Sequence, residues 1–183
     1  MSLPLSVIFA AGSSGRWRID RIEEVIGETL GGADRLAVVE GASMIGEAWT
    51  LRGVTSNTRY AARDEVEALR ARQEGLNRSQ ATCAALIPIR KSAAWWALAQ
   101  DERRAIFEEQ SHHTAIGLDY LPGVARRLHH SRELAEPFDF LTWFEYAPEH
   151  ARDFERLVDR LRRTPEWAYV EREVDLRLSR DGL

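Results

Sequence analysis

The chain has 183 residues, 44% hydrophobic and 30% charged, with 25 Lys and Arg against 29 Asp and Glu for a formal net charge of −4. That balance belongs to a globular protein able to bury its own core, and it excludes intrinsic disorder. A pI near 5.8 offers no broad positive field for nucleic acid, and no apolar run reaches the roughly 18 residues of a membrane-spanning helix.

In chain order, the first expected element is a strand over 5–10, apolar and with no Lys or Arg before it, which points to the cytoplasm rather than to export. The stretch Gly12-Ser13-Ser14-Gly15 lacks the Gly-Lys-Ser/Thr ending of a phosphate loop and reads as a turn. A helix is expected over 19–30, a strand over 49–54, a helix over 62–73 and a strand over 82–89. The single cysteine, Cys83, lies in the apolar run 81–89. It has no internal partner and no basic neighbour to activate it, so it reads as a small core residue.

Segment 91–123 reads as helical, with a break at Asp101 and a stop at Pro122–Gly123. A strand carrying Arg126 follows, then an aromatic, β-prone strand over 138–146, and Pro148 suits a first helical turn. Within 149–163 the residues Ala151, Phe154, Leu157, Val158 and Leu161 recur at helical spacing. Finally Val170, Val174, Leu176 and Leu178 alternate with Glu171, Glu173, Asp175 and Arg177, a strand with one apolar and one charged face. The same grammar runs through the first half. The expected fold is therefore α+β, a single domain over 1–183 made of two ferredoxin-like halves, about 1–90 and 101–183, with antiparallel sheets covered by helices.

Among residues that could carry chemistry, His112 and His113 are neighbours on the expected helix and point about 100° apart, so only one can face inward. His113 shares a stripe with Ile106, Ile116 and Tyr120, whereas His112 lies nearer Glu108 and Asp119. A lone inward histidine is more often a satisfied core residue than a metal ligand. Haem alters that balance, because its porphyrin already provides four nitrogens and needs one more. Trp95 and Trp96 could wall a flat cofactor, or simply pack in a core. Taken alone, Lys91, Arg126 and Glu166 are ordinary surface or helix-end charges.

The segments Ile87-Pro88-Ile89-Arg90-Lys91-Ser92-Ala93-Ala94-Trp95-Trp96, Tyr120-Leu121-Pro122 and Pro137-Phe138-Asp139-Phe140-Leu141-Thr142-Trp143-Phe144-Glu145-Tyr146 together resemble the signature segments of the chlorite dismutase family. The resemblance extends over about 51–178, and the short length, with no extra N-terminal domain, is similar to the family's small dimeric branch. It implies a dimeric α+β barrel fold and a homodimeric enzyme with one haem b per subunit that decomposes chlorite to chloride and dioxygen. By motif, the proximal iron ligand falls on His113, the distal arginine on Arg126, the acid bonded to the proximal imidazole on Glu166, and a propionate-binding lysine on Lys91. Trp95 and Trp96 fall beside the haem, the distal glutamine of the dimeric branch on Gln73, and a further propionate partner on Tyr60. Arg126 favours chlorite chemistry, because the related coproheme decarboxylases lack that arginine. A guanidinium suits the task of holding a hypochlorite-level fragment, being cationic at any working pH and unable to act as an acid. The alternatives are a coproheme decarboxylase, a general haem peroxidase, or a haem-carrying dimer without catalysis.

Overall fold

Strand-forming segments at both ends of the chain pair into one closed antiparallel barrel. The structure is a computed structural model and describes residues 4–41, 43–55, 63–72 and 75–182. Strands β1 (Ser6–Gly12), β2 (Trp17–Ile26), β3 (Arg35–Glu40) and β4 (Trp49–Thr55) precede helix α1 (Arg63–Arg72). Strand β5 (Cys83–Lys91) leads into α2 (Ala93–Ala97), α3 (Gln100–Arg104) and α4 (His113–Asp119). Then come β6 (Val124–His130), β7 (Phe140–Tyr146), α5 (Ala151–Arg162) and β8 (Val170–Ser179). Around the barrel the order is β1-β3-β2-β8-β5-β7-β6-β4, and β4 closes on β1. Closure leaves no unpaired edge. The expected α+β class with antiparallel sheet is thus observed, in the form of a single closed barrel.

The two-residue period of the strands separates two cores. Leu86 and Trp143 point into the barrel with Phe9, Leu51 and Leu176, and the Trp143 ring lies 5.3 Å from that of Trp17. Their neighbours Ile87 and Phe144 point outward, where Ile116 of α4 and Phe154, Leu157 and Leu161 of α5 cover them. Burying each such side chain stabilises the fold by about 1.5–3 kcal/mol. The outer core therefore fixes α4 and α5 against the half of the barrel that carries β5, β6 and β7.

Two expectations are corrected and one strand was missed. Residues 19–30 are not a helix, because β2 covers Trp17–Ile26. Register shifts between Ile19 and Arg21 and between Glu24 and Ile26 reset the alternation, so Ile19, Ile22 and Ile26 fall at spacings that imitate a helical stripe. Strand β3 was not expected, although Leu36, Val38 and Val39 give it β-prone residues. Segment 91–123 is not one helix with a single break at Asp101; the first break falls at Leu98–Ala99, both extended. The helix read over 149–163 is present as a short 3₁₀ turn, Pro148–His150, running into α5.

Beyond the exposed Glu171, the charged face of β8 is not solvated. Glu173 and Asp175 are 0% and 1% exposed, because α5 lies across them and Arg162 reaches both, at 2.7 and 2.8 Å. Arg177 pairs with Asp175 and with Glu155 of α5. Such a buried network adds little net stability relative to apolar packing, but breaking one member leaves a charge without compensation.

Candidate active site

A widened stretch of helix places the key histidine. After α3 the chain makes a π-helical turn, Ala105–Gln110, and His112 then takes a left-handed conformation (φ 52°) that ends one helical run and starts α4 at His113. Expanded turns of this kind recur at functional sites. His112 is exposed and His113 half-buried. The two histidines therefore differ as expected, but because the backbone breaks between them rather than because they sit 100° apart on one helix.

The His113 imidazole is held from behind. Its Nδ1 lies 2.7 Å from Glu166 Oε2. Glu166 Oε1 accepts from Lys91 Nζ at 2.7 Å, and the Glu166 backbone N–H donates to Ser111 Oγ at 3.0 Å. Glu166 and Lys91 are each only 4% exposed. Burial alone would raise the Glu166 pKa, but the His113 and Lys91 charges and hydrogen bonds overcome it and bring it down to about 2. Burial lowers the Lys91 pKa, and Glu166 opposes that shift. Glu166 is therefore a carboxylate and the Nδ1–H of His113 donates to it, which leaves Nε2 as the outward nitrogen. Among the described residues, Nε2 has no hydrogen-bond partner.

Aromatic rings fix the imidazole plane. Phe107 stacks on it at 4.4 Å and 21°, and Trp167 lies nearly parallel at 6.5 Å, with its own Nε1–H donated to Glu173 at 2.8 Å. Phe107 lies within the π turn and is not on the stripe that His113 shares with Ile106, Ile116 and Tyr120.

Arg126 comes from β6, and its guanidinium lies against Gly117, on the same short helix as His113. A Cβ at Gly117 would stand 2.6 Å from Nη1 and 2.8 Å from Cζ. A side chain there would make the guanidinium shift, and the backbone of Gly117 is an ordinary helical one. Burial lowers the Arg126 pKa while Glu108 opposes, and Glu108 Oε2 accepts from the Thr114 backbone N–H at 2.9 Å.

The fold thus joins His113 and Lys91 through Glu166 and sets the Arg126 guanidinium against the His113 helix. Lys91, expected at a propionate, instead has its ammonium buried on Glu166 and 4.3 Å above the Trp95 ring. A register shift falls at Arg90/Lys91, where β5 still pairs with β8 through Lys91 and Val170. Trp95 is buried and packs on Tyr169 at 5.5 Å. Trp96 stacks near Phe140 at 6.1 Å, under the Arg132 guanidinium. Tyr60 and Gln73 lie outside the described residues. Sequence reasoning gave no role to Phe107, Gly117 or Asp139; the last was visible only as one letter of an aromatic segment.

The class defined by this fold and site is a closed antiparallel α+β barrel with a carboxylate-backed imidazole on a helix packed against its outside. More specifically, the chain belongs to the chlorite dismutase family, whose profile, described as chlorite dismutase, matches residues 23–181. It is similar to a crystal structure of dimeric chlorite dismutases from Nitrobacter winogradskyi, with 59% identity and a TM-score of 0.90 over 95% of this chain and 99% of that one. The chlorite dismutase of Ideonella dechloratans is 32% identical over 122 residues, 66% of this chain. The match spans only 41% of that relative's length. A chlorite dismutase from Candidatus Nitrospira defluvii, solved in complex with imidazole, shares the fold at 22% identity and a TM-score of 0.65, over 97% of this chain and 91% of that one.

Proposed function

We propose that the chain is a haem b enzyme that decomposes chlorite to chloride and dioxygen, working as a homodimer with one haem per subunit. The observation that carries this reading is the 2.7 Å contact between His113 and Glu166, which turns Nε2 outward. The donor set suits haem: among the described residues no cluster of three or more His, Cys, Asp or Glu could hold a bare metal ion, and one imidazole suffices for an iron that brings four nitrogens of its own. His113 would be the axial ligand. Haem, when bound, would supply the redox-active iron that the decomposition of chlorite requires.

The remaining work belongs to the chain. Glu166 keeps the proton of His113 on Nδ1 and increases the donor strength of Nε2. Lys91 holds Glu166 as a carboxylate. Arg126, cationic and half-buried, holds the substrate anion and then the hypochlorite-level fragment without protonating it. The dimer is supported by the dimeric relative at 59% identity.

The same proposal treats residues 1–183 as one domain of two ferredoxin-like halves, about 1–90 and 101–183. In part support, the strands form two runs of the same spatial order, β4-β1-β3-β2 and β8-β5-β7-β6, although β5 (Cys83–Lys91) groups with the second run and not with residues 1–90. It places the protein in the cytoplasm; among the described residues no helix is long and apolar enough to cross a membrane.

An oxygen electrode tests the activity directly. Purified, haem-loaded protein should evolve dioxygen on addition of chlorite. Stable haem binding with no oxygen would leave a carrier or a peroxidase, and loss of propionates from added coproheme would identify a decarboxylase.

A further inference from the structure

The geometry points to Asp139 as a positioning residue for the His113 imidazole, acting through Lys91, an inference that rests on the axial role proposed for His113. Asp139 precedes β7 and is 6% exposed. Its Oδ2 accepts the Lys91 backbone N–H at 2.8 Å and the Trp96 indole N–H at 3.2 Å. Its Oδ1 lies 3.6 Å from Arg132, whose guanidinium is 3.8 Å above the centre of the Trp96 ring.

The topology explains why a side chain is needed there. Pairing between β5 and β7 ends at Ile89–Phe140, and β5 pairs with β8 through a bulge at Arg90/Lys91. On the β7 side the Lys91 N–H has no further rung of the ladder, and a buried N–H without an acceptor is costly. Asp139 supplies the missing acceptor. Its own backbone is tied on both sides, its N–H to Ile89 O and its carbonyl to Ser131 N–H, each at 2.9 Å.

Lys91 is consequently fixed at both ends. Asp139 sets its backbone, and Glu166 with the Trp95 face sets its ammonium. A lysine side chain has four rotatable bonds and loses up to about 2 kcal/mol of entropy when ordered. Pinning its backbone at the bulge keeps the ammonium within reach of Glu166, and Glu166 in turn aims His113.

The test uses haem-loaded protein and two readouts that are independent of turnover: the iron–histidine stretching vibration of the reduced form and the reduction potential. Asp139→Ala should move both in the same direction as Lys91→Met, by at least about half as much, and the double variant should move them no further than Lys91→Met alone. Asp139→Asn, whose Oδ1 can accept both N–H groups, should restore most of the wild-type signal, and it keeps the test alive if Asp139→Ala fails to fold. Shifts that simply add in the double variant, or an Asp139→Ala protein with wild-type signals, would overturn the inference. If His113→Ala keeps the haem spectrum intact, the axial assignment itself falls, and the inference falls with it.

Discussion

The Arg126 guanidinium rests on Gly117, so close that a Cβ there would stand 2.6 Å from Nη1. The glycine is one helical turn beyond His113, and the contact links the cation of β6 to the helix that presents the imidazole. Gly117 has an ordinary helical backbone, so what stands where a Cβ would go is only the guanidinium, the far end of a flexible side chain.

Gly117→Ala should fold as well as wild type, since alanine is the better helix former by about 0.5–1 kcal/mol. It should nevertheless push the guanidinium aside. Chlorite turnover should fall roughly tenfold with haem absorption unchanged. Wild-type turnover in this variant would show that the Arg126–Gly117 contact does not matter to the reaction.

Arg126→Ala should keep its haem, turn over chlorite roughly ten- to a hundredfold more slowly, and release more hypochlorite, as loss of one charge-assisted contact predicts. Arg127→Ala is the control. Arg127 faces the other way, with Nε donating to His129 Nε2 at 3.0 Å and an ion pair to Glu40. Its loss should cost about 1 kcal/mol of stability and leave turnover alone. Equal protection of wild type and Arg126→Ala by a methionine trap would remove the retention role from Arg126.

His113→Ala should abolish or severely weaken haem retention, whereas His112→Ala should leave the absorption spectrum intact. The exposed position of His112 and its left-handed backbone place it at a joint between helices rather than beside Glu166. Difference spectra during haem titration distinguish the two, and the opposite pattern would refute the assignment.

His129 makes stability depend on pH. Burial, aided by the Arg127 and His130 charges, lowers its pKa from 6.5 to about 4, while its Nδ1–H donates to Leu141 O at 2.8 Å. The unfolded chain therefore binds the proton more readily between those values, so stability is full above 6.5 and is lost as pH falls toward 4. Urea unfolding should show a loss on the order of 3 kcal/mol across that window. His129→Gln should start from a lower stability and show a flatter profile; a slope equal to wild type would exclude His129 as the cause.

Glu173→Ala should destabilise the fold by about 3–5 kcal/mol, because Arg162 and the Trp167 indole lose a buried partner. The exposed pair of Arg21 and Glu23, at 3.8 Å, should contribute no more than about 0.5 kcal/mol when Glu23 is replaced by Ala. Thermal unfolding compares the two. Similar costs would mean that the buried charges of β8 are not a connected network.

Much of this protein is determined locally, by order along the chain. The alternation in β8, the spacing of Phe154, Leu157, Val158 and Leu161 in α5, and the aromatic run of β7 each report which side of an element is buried. Those patterns, with the family segments, sufficed for the α+β class and for preferring His113 to His112. Tertiary structure decided the rest. Only the register of β2 on β8, with its two shifts, shows that Ile19, Ile22 and Ile26 belong to a strand. Only the packing of α5 on β8 reveals that Glu173 and Asp175 are buried and paired rather than solvated. Lys91 and Glu166 stand 75 positions apart, and neither residue carries a mark of the other. A charge on a strand end looks the same in sequence whether it meets water, a propionate or a buried carboxylate, since its partner is chosen by closure of the barrel and not by its neighbours. The same holds for Gly117 and Asp139, whose importance lies in an approach and an unpaired N–H that exist only once β5, β6 and β7 are assembled.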